Sequence, residues 1–517
     1  MNPLDLNLQS PDYGLLAPQL IVFGLALLLM ILDAFMPKAR HFTVLTVVSL
    51  VGYAAAMVAL YWQDGNNEST FKGLFRSDGL TVFLSVVLLT VAILTVMTSA
   101  SYVDRLEGRM PIGEFYVLLA FSILGALLVA SAGNIVMVFV GIELSSLATY
   151  VLTAFARRRT SSLEGAIKYF LLGIFASAIL IYGLAWIYGI TGSTDLDQIA
   201  LQIQGAVQSG DSRQPEILFA LLLVIVGLGF KIAAVPFHMW TPDAYDGAPT
   251  PITGFMSVGP KAAGFAAIIR IMVQGLGPLR DDWYVLIAIL AVLTMALGNI
   301  VAISQRNLKR MLAYSSIAHT GYILVGLAAY QSVTGEGKFV SLAGDAASSD
   351  PGVTSMLYYT LAYTFMNIGA FAVITWMQHR GRGMMLDDFA GLASTQPMAA
   401  LAMTIFMVSL MGVPPLLGFY AKYYVIVAAI NASLLWLAVA VVLASAISAY
   451  FYLRVVAVMY FNPSDRELRK STTTLLNAGI VVLAVANVLL GVFSGQIIDL
   501  ADKWSGALQV AQTVASR

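Results

Sequence analysis

The chain has 517 residues, of which 59% are hydrophobic and only 11% charged, with a mean hydropathy of +0.83. Soluble domains carry roughly 25% charged residues, so this composition excludes a water-soluble fold and places the chain in a bilayer. The net charge is zero and there is no cysteine, which excludes thiolate-held iron–sulfur clusters, disulfides and cysteine catalysis within the chain.

A helix needs about 20 apolar residues to cross the hydrocarbon core, and the cost of unsatisfied backbone groups restricts spans to helices or closed barrels. The apolar runs have helix length and lack the period-2 alternation of barrel strands. An all-α polytopic membrane protein is therefore expected. The N-terminus shows no basic segment ahead of a cleavage site, so no removable leader is expected.

Fourteen spans are predicted, near residues 15–35, 43–62, 79–100, 113–131, 133–155, 163–190, 215–240, 251–273, 283–304, 311–330, 354–379, 398–431, 434–461 and 473–499. Two are expected to be broken. Span seven is interrupted in GFKIAAVPFHMW at Pro236, and span twelve, too long for one crossing, at Gly412-Val413-Pro414-Pro415. The connections are short; those near 191–214 and 331–353 are rich in Gly, Ser and Asp, and none can hold a nucleotide-binding domain. Gly227-Leu228-Gly229 lies inside a helix with no preceding strand, so it is not a dinucleotide signal.

Charge on the connections sets orientation. Loops 36–42, 101–112, 156–162, 241–250, 305–310, 380–397 and 462–472 together hold 15 Lys and Arg, whereas the opposite set with both termini holds 7. The first set is expected in the cytoplasm, with both termini outside it.

A weak repeat relates Ser145-Ser146-Leu147-Ala148 in span five to Ser315-Ser316-Ile317-Ala318 in span ten, and residues 169–173 to 359–363. The broken helices fall in step, seven and twelve. Five spans separate each pair, and an odd offset reverses direction, so an inverted repeat is expected. Residues 1–112 then hold three leading spans, 113–273 the first unit (spans four to eight), 283–461 the second (spans nine to thirteen), and 473–517 the last span and tail.

Charged side chains inside a bilayer are functional by default. Glu143 sits mid-span and needs a cationic partner from another helix; the bland reading is a structural tie. Lys231 lies five residues before Pro236, whose ring displaces the carbonyl of Ile232, a place where water is expected to enter. Lys261 sits centrally beside Pro260. Lys422 follows the break at Pro414 and Pro415 and is expected to be functional rather than snorkelling. Lys168, one turn after Glu164, is either a salt-bridge partner or a proton relay. Arg270 and Arg454 are expected to anchor span ends. Of His41, His238, His319 and His379, only His319 is well inside a span, so a haem between spans lacks its second histidine. His319 is either a proton relay or a packing residue, and no metal site is expected.

At these residues the sequence becomes familiar. FKIAAVPFHMWTPDAY (230–245) with GAPTP (247–251), and QRNLKRMLAYSSIAHTGY (305–322), resemble the antiporter-like, proton-pumping membrane subunits of respiratory complex I, the NADH–quinone oxidoreductase. The likeness runs from about 113 to 460. Larger members of that family commonly place histidine where this chain has Lys261, and Lys or His in span eleven, where this chain offers only Thr364 and Asn367; water is expected to fill that middle stretch. The resemblance implies that Glu143 with Lys231, then Lys261, then Lys422, carry protons along the membrane midplane of a bacterial cell membrane. It also implies that NADH, flavin, iron–sulfur clusters and the quinone site belong to partner subunits, that the neighbours are other antiporter-like and small membrane subunits, and that nucleic acid has no part. Three alternatives stand beside it: a multi-subunit cation/proton antiporter, a structural spacer, and the plastoquinone-reducing relative.

Because the chain lacks cysteine, single introduced cysteines report topology cleanly. Arg158→Cys is expected to react only with a cytoplasmic reagent and Ser209→Cys only with an external one. Labelling of both from one side would contradict the single crossing between them.

Overall fold

The computed structural model describes residues 11–37, 41–65, 67–104, 112–209, 214–331, 339–340, 346–347, 349–463 and 473–505. The loop cations Lys38, Arg40, Arg105, Arg109, Arg213, Lys338, Arg466, Arg469, Lys470 and Arg517 lie outside these residues. The helices are α1 (Ala17–Phe35), α2 (His41–Tyr61), α3 (Gly79–Asp104), α4 (Gly113–Ala130), α5 (Ile135–Thr153), α6 (Thr160–Thr191) and α7 (Leu196–Ser209). Then come α8 (Gln214–Lys231), α9 (Thr241–Gly247), α10 (Thr250–Ile268), α11 (Arg280–Ser304), α12 (Leu308–Ala328) and α13 (Pro351–His379). The chain closes with α14 (Leu392–Thr395), α15 (Pro397–Met411), α16 (Leu417–Asn431), α17 (Leu435–Phe461), α18 (Thr474–Val492) and α19 (Ser494–Ser505).

Among the described residues, thirteen helices are long and apolar enough to cross a bilayer. The expected twelfth span is divided into α15 and α16, of 15 residues each, so all fourteen positions are filled. Alternating direction puts the first and last described segments at one end of the bundle, where Trp504 donates to Asp64 at 2.7 Å. That end is called here the terminus end, and the other the opposite end. Two short hairpins, β1 (Glu68–Thr70) with β2 (Phe75–Ser77) and β3 (Phe339–Val340) with β4 (Ala346–Ala347), are the only strands among the described residues.

The helices α10, α12 and α13 are buried on nearly every side, while α1, α2, α6, α17 and α18 show apolar faces outward. Polar side chains in a bilayer face the bundle interior, and these three central helices, the least apolar of the spans, carry most of the polar side chains discussed below. Helix pairs close around glycine. A Cβ on Gly125 of α4 would fall 2.5 Å from the Ser145 nitrogen of α5, and one on Gly298 of α11 would fall 2.6 Å from the Ala318 nitrogen of α12. Small residues permit this backbone approach in membranes, where no hydrophobic effect drives helices together.

Both expected breaks are present. The seventh span stops at Lys231 and the chain turns through residues 232–240 into α9; Ala233 there has φ +61°. That left-handed conformation costs a residue with a side chain roughly 1–2 kcal/mol. The twelfth span breaks at Gly412, φ +93°, where a Cβ would also lie 3.0 Å from Cδ of Lys422. Val235–Pro236 and Pro414–Pro415 are cis.

Three sequence expectations need correction. The connection near 191–214 contains a helix, α7, whose Leu196, Ile199 and Ile203 are buried at helical spacing. Arg270 does not reach a surface: it is fully buried, in a π-helical turn (Ile269–Gly275) that ends the eighth span. Its guanidinium makes a bidentate pair with Asp78 at 2.7 and 2.8 Å and also donates to the Ala130 carbonyl, Thr81 and Gln274. Asp78, just ahead of α3, supplies the counter-charge at that depth. Gln274 passes the network to Asp197 of α7, which pairs with Arg76. Arg454, also expected as an anchor, instead donates to the Ile303 and Gln305 carbonyls at 2.8 and 2.5 Å, capping the C-terminal end of α11.

Burial works against the Asp78 charge, but Arg270 and the Thr81 hydrogen bonds outweigh it and hold the carboxyl below its usual range. The folded value thus lies beneath an unfolded one of about 3.9, so the stabilisation is complete above that pH and is lost as acid takes the group through its lower folded value. Asp78→Asn leaves the guanidinium buried without a counter-charge, which costs about 3–5 kcal/mol. The thermal midpoint of the purified protein in detergent is expected to fall by several degrees at neutral pH. An unchanged midpoint would show the pair to be dispensable.

Candidate functional site

Three buried lysines, Lys231, Lys261 and Lys422, are held by three different kinds of partner. Lys231 ends α8, and its Nζ lies 2.9 Å from Glu143 Oε1 of α5. The same Nζ donates to Ser146 at 3.1 Å and Ser177 at 3.0 Å, and Ser177 donates to Glu143 at 2.6 Å. The pair therefore joins α5, α6 and α8 through one charge and two hydroxyls. Lysine and carboxylate thus satisfy each other's hydrogen-bonding capacity inside the bundle.

Lys261, on α10, faces no carboxylate. Its Nζ donates to the Ser316 carbonyl at 2.9 Å, Ser316 Oγ at 2.7 Å and Thr320 Oγ1 at 3.1 Å, all on α12. Thr320 in turn donates to the Ile232 carbonyl at 2.8 Å. The carbonyl expected to recruit water at the Pro236 break is thus taken by a threonine, because α12 passes directly beside the turn. Lys231 and Lys261 are connected through Ile232 and Thr320 in this way.

The third lysine, Lys422 on α16, is buried rather than snorkelling. Its Nζ donates to the Met411 carbonyl at 2.9 Å, the end of α15, and lies 4.8 Å from the centre of the Tyr322 ring. A cation at a helix C-terminus meets the negative end of the dipole, and the ring face adds a cation–π contact.

Between Lys261 and Lys422 stands His319 of α12, fully enclosed. Its Nδ1 is 2.7 Å from the Tyr359 hydroxyl and its Nε2 3.1 Å from that of Tyr452, which also meets Ser315. Tyr322 accepts from Asn299 at 3.1 Å. On α13, Asn367 donates to Ser257 at 2.5 Å and Thr364 turns back on Thr360, while the Asn367 Oδ1 and the Tyr358 hydroxyl are buried with no partner among the described residues. The row therefore has unsatisfied polar atoms in its middle, on the helix that offers Thr364 and Asn367 where larger relatives place a lysine or histidine.

Lys168 is not part of this buried row. It lies half-exposed on α6, paired with Glu164 at 2.7 Å and with Asp243 of α9 at 2.8 Å. Among the described residues no group of three His, Cys, Asp or Glu is arranged to hold a metal.

Helix breaks and one proline organise the row. Pro260, inside α10, removes an amide donor from the Met256 carbonyl four residues back, while the Ile232 and Met411 carbonyls are left open where α8 and α15 stop ahead of Pro236 and of Pro414–Pro415. Thr320 serves Ile232, the Tyr245 hydroxyl serves Met256 at 3.2 Å, and Lys422 serves Met411. Sequence reasoning missed Ser177, Thr320 and Tyr245. The signal was available for Thr320, which lies one helical turn beyond Ser316 and so on the same face.

The family described as NADH:quinone oxidoreductase/Mrp antiporter, TM, matches residues 132–448, a stretch that contains Glu143, His319 and the three lysines. The chain belongs to this family. Among the family's curated members, NADH-quinone oxidoreductase subunit N of Trichlorobacter lovleyi is 41% identical over 508 residues, covering 97% of this chain and 99% of that one. Subunit N 2 of Rhizobium meliloti is 40% identical over 487 residues, covering 94% and 96%. A chain of respiratory complex I from Thermus thermophilus with bound aureothin superposes with a TM-score of 0.74 at 31% identity, covering 93% of this chain and 98% of that one. A chain of the Mrp complex from a Dietzia species reaches 0.80 over 97% and 98%, but at 22% identity it shares the fold alone.

Thr320→Val keeps the shape, removes the donor to Ile232 and takes one acceptor from Lys261. A buried carbonyl left unsatisfied costs about 1–3 kcal/mol, so a lower thermal midpoint is expected, with reduced proton transport by the assembled protein. A midpoint and transport both equal to the parent's would show the contact to be idle.

Proposed function

We propose that this chain is a proton-translocating membrane subunit of an NADH–quinone oxidoreductase, in which Glu143, Lys231, Lys261 and Lys422 carry the proton and His319 relays it. The observation that carries the reading is the graded row: one lysine paired with a carboxylate, followed by two held only by dipoles and a ring. A unit charge pair at about 4 Å is worth about 4 kcal/mol at an effective dielectric of 20. Moving a proton against a potential of about 180 mV costs about 4 kcal/mol, at 2.3 kcal/mol per 100 mV. Opening the Glu143–Lys231 pair therefore releases Lys231's hold on its proton by an amount matched to one crossing, and the proton passes toward Lys261 and Lys422.

In this reading the redox chemistry of NADH, flavin, iron–sulfur clusters and quinone takes place in partner subunits, whose motion opens the pair. The end of the bundle carrying residues 156–162 faces the cytoplasm of a bacterial cell, and both termini lie outside it; the 15-to-7 distribution of Lys and Arg supports this. Residues 113–273 and 283–461 act as two inverted units. Support comes from the two breaks, which lie in spans of opposite direction and each bring a lysine to the end of a half-helix. Near-full-length relatives at about 40% identity are subunits of NADH–quinone oxidoreductase, which favours that assembly over a cation/proton antiporter. Mass spectrometry of the co-purified subunits separates the two.

Glu143→Gln keeps the shape and removes the charge. Proton pumping per electron is expected to fail while the complex assembles, and Glu143→Asp is expected to keep part of it. Glu143→Gln combined with Lys231→Met is expected to lose little more than either alone, because one substitution already breaks the pair. If Glu143→Gln assembles and pumps at the normal ratio, the pair is a structural tie and the switch is wrong.

A further inference from the structure

Lys309 opens α12 and is fully buried, although the sequence places it among loop cations. A buried ammonium is ordinarily matched by a carboxylate. Here Nζ donates instead to two backbone carbonyls, Asp246 at 2.9 Å and Ala248 at 2.5 Å, at the C-terminal end of α9. Just outside it, at the opposite end of the bundle, lies a partly exposed ring of charge. Asp243 binds Lys168 at 2.8 Å and Arg310 at 3.3 Å; Asp246 lies 3.8 Å from Arg310 and accepts from Asn307 at 2.8 Å.

Just inside Lys309 is Tyr245, also fully buried and next in sequence to Asp246. Its hydroxyl meets the Met256 carbonyl and lies against the Ser316 side chain, whose Oγ accepts from Lys261 at 2.7 Å. Lys309 and Ser316 are seven residues apart on α12, so they share a face about 10 Å apart along the axis. A titratable side chain thus stands between groups in contact with water and the middle lysine of the row, with a hydroxyl pair on the inner side.

We propose that Lys309 is the proton-uptake group of the row, loaded from the Asp243 and Asp246 carboxyls and discharging by way of Tyr245 and Ser316 to Lys261. The inward step follows the loss of a proton from Lys261 toward Lys422, which leaves the Lys261 amine neutral. An Nζ–H bond of Lys309 then breaks, the Tyr245 oxygen gains that proton and gives up its own to the Ser316 hydroxyl, and Ser316 passes its own to the Lys261 amine. Lys309, now neutral, regains a proton from a carboxylic acid of the outer ring, and the resulting carboxylate is protonated from water. No oxidant or other co-reactant is needed.

This inference rests on the translocation reading. The test uses the whole oxidoreductase in vesicles, with NADH–ferricyanide activity reporting assembly and protons per electron reporting transport. Lys309→Arg keeps a cation on the α9 carbonyls but holds its proton permanently, and Tyr245→Phe leaves the Lys309 contacts in place while removing the hydroxyl. Both variants, and Lys309→Met, are expected to assemble and to lose transport by about tenfold or more, the scale of a lost proton-transfer group. Normal transport in Lys309→Arg would overturn the proposal and leave Lys309 as a clamp on α9. If the arginine variant does not assemble, Tyr245→Phe decides: reduced transport supports the route and normal transport overturns it. Lys231→Met run in parallel separates the two readings, since normal pumping there would fault translocation through the row itself.

Discussion

A helix that breaks or carries a proline inside a membrane leaves a carbonyl that the bilayer cannot satisfy, and the interior of this chain is organised around three such carbonyls. A lipid-facing helix would pay several kcal/mol for each. Here Ile232, Met256 and Met411 are served by Thr320, Tyr245 and Lys422. The polar side chains needed for that service are the ones that line the buried row. Structural necessity and proton chemistry thus draw on one set of groups, and neither is separable from the broken helices.

The three lysines differ in a way that composition does not reveal. Lys231 is bound to a carboxylate, Lys261 to hydroxyls and a carbonyl, and Lys422 to a carbonyl and an aromatic face. Only the first environment contains a formal negative charge in direct contact. The row is therefore electrostatically one-sided, with its adjustable element at the Glu143 end. Enclosed tyrosines on three helices surround His319 between the other two lysines, so the middle is lined by hydroxyls and an imidazole, with no carboxylate in contact.

Much of this was legible in the sequence. Span number followed from hydropathy and was checked by loop charge, because the bilayer imposes both. The two breaks were legible because proline and glycine act locally, within a few residues. What lay beyond reach depended on neighbours distant in sequence. Arg270 near a span end looks like an anchor until Asp78, 192 residues away, is placed beside it. The Ile232 carbonyl looks open until α12 is packed against the turn. Lys309 sits among loop cations in sequence, yet α9 folds over it. The helix α7 was hidden for another reason: its three buried positions have clear spacing, but in a segment that reads first as a polar connection.

The glycine contacts between α4 and α5, and between α11 and α12, have a mechanical consequence. With backbone atoms that would stand only about 2.5 Å from an added Cβ, neither helix of a pair can slide without its partner, and each pair behaves as a single stiff beam. Glu143 rides on one beam, and Thr320 and Ser316 on the other. The turn at residues 232–240 is not helical, and it meets α12 through the Thr320–Ile232 hydrogen bond and its own buried apolar side chains. Displacement of one beam against the other would be concentrated in that turn, much as a rigid frame bends at its hinges and nowhere else.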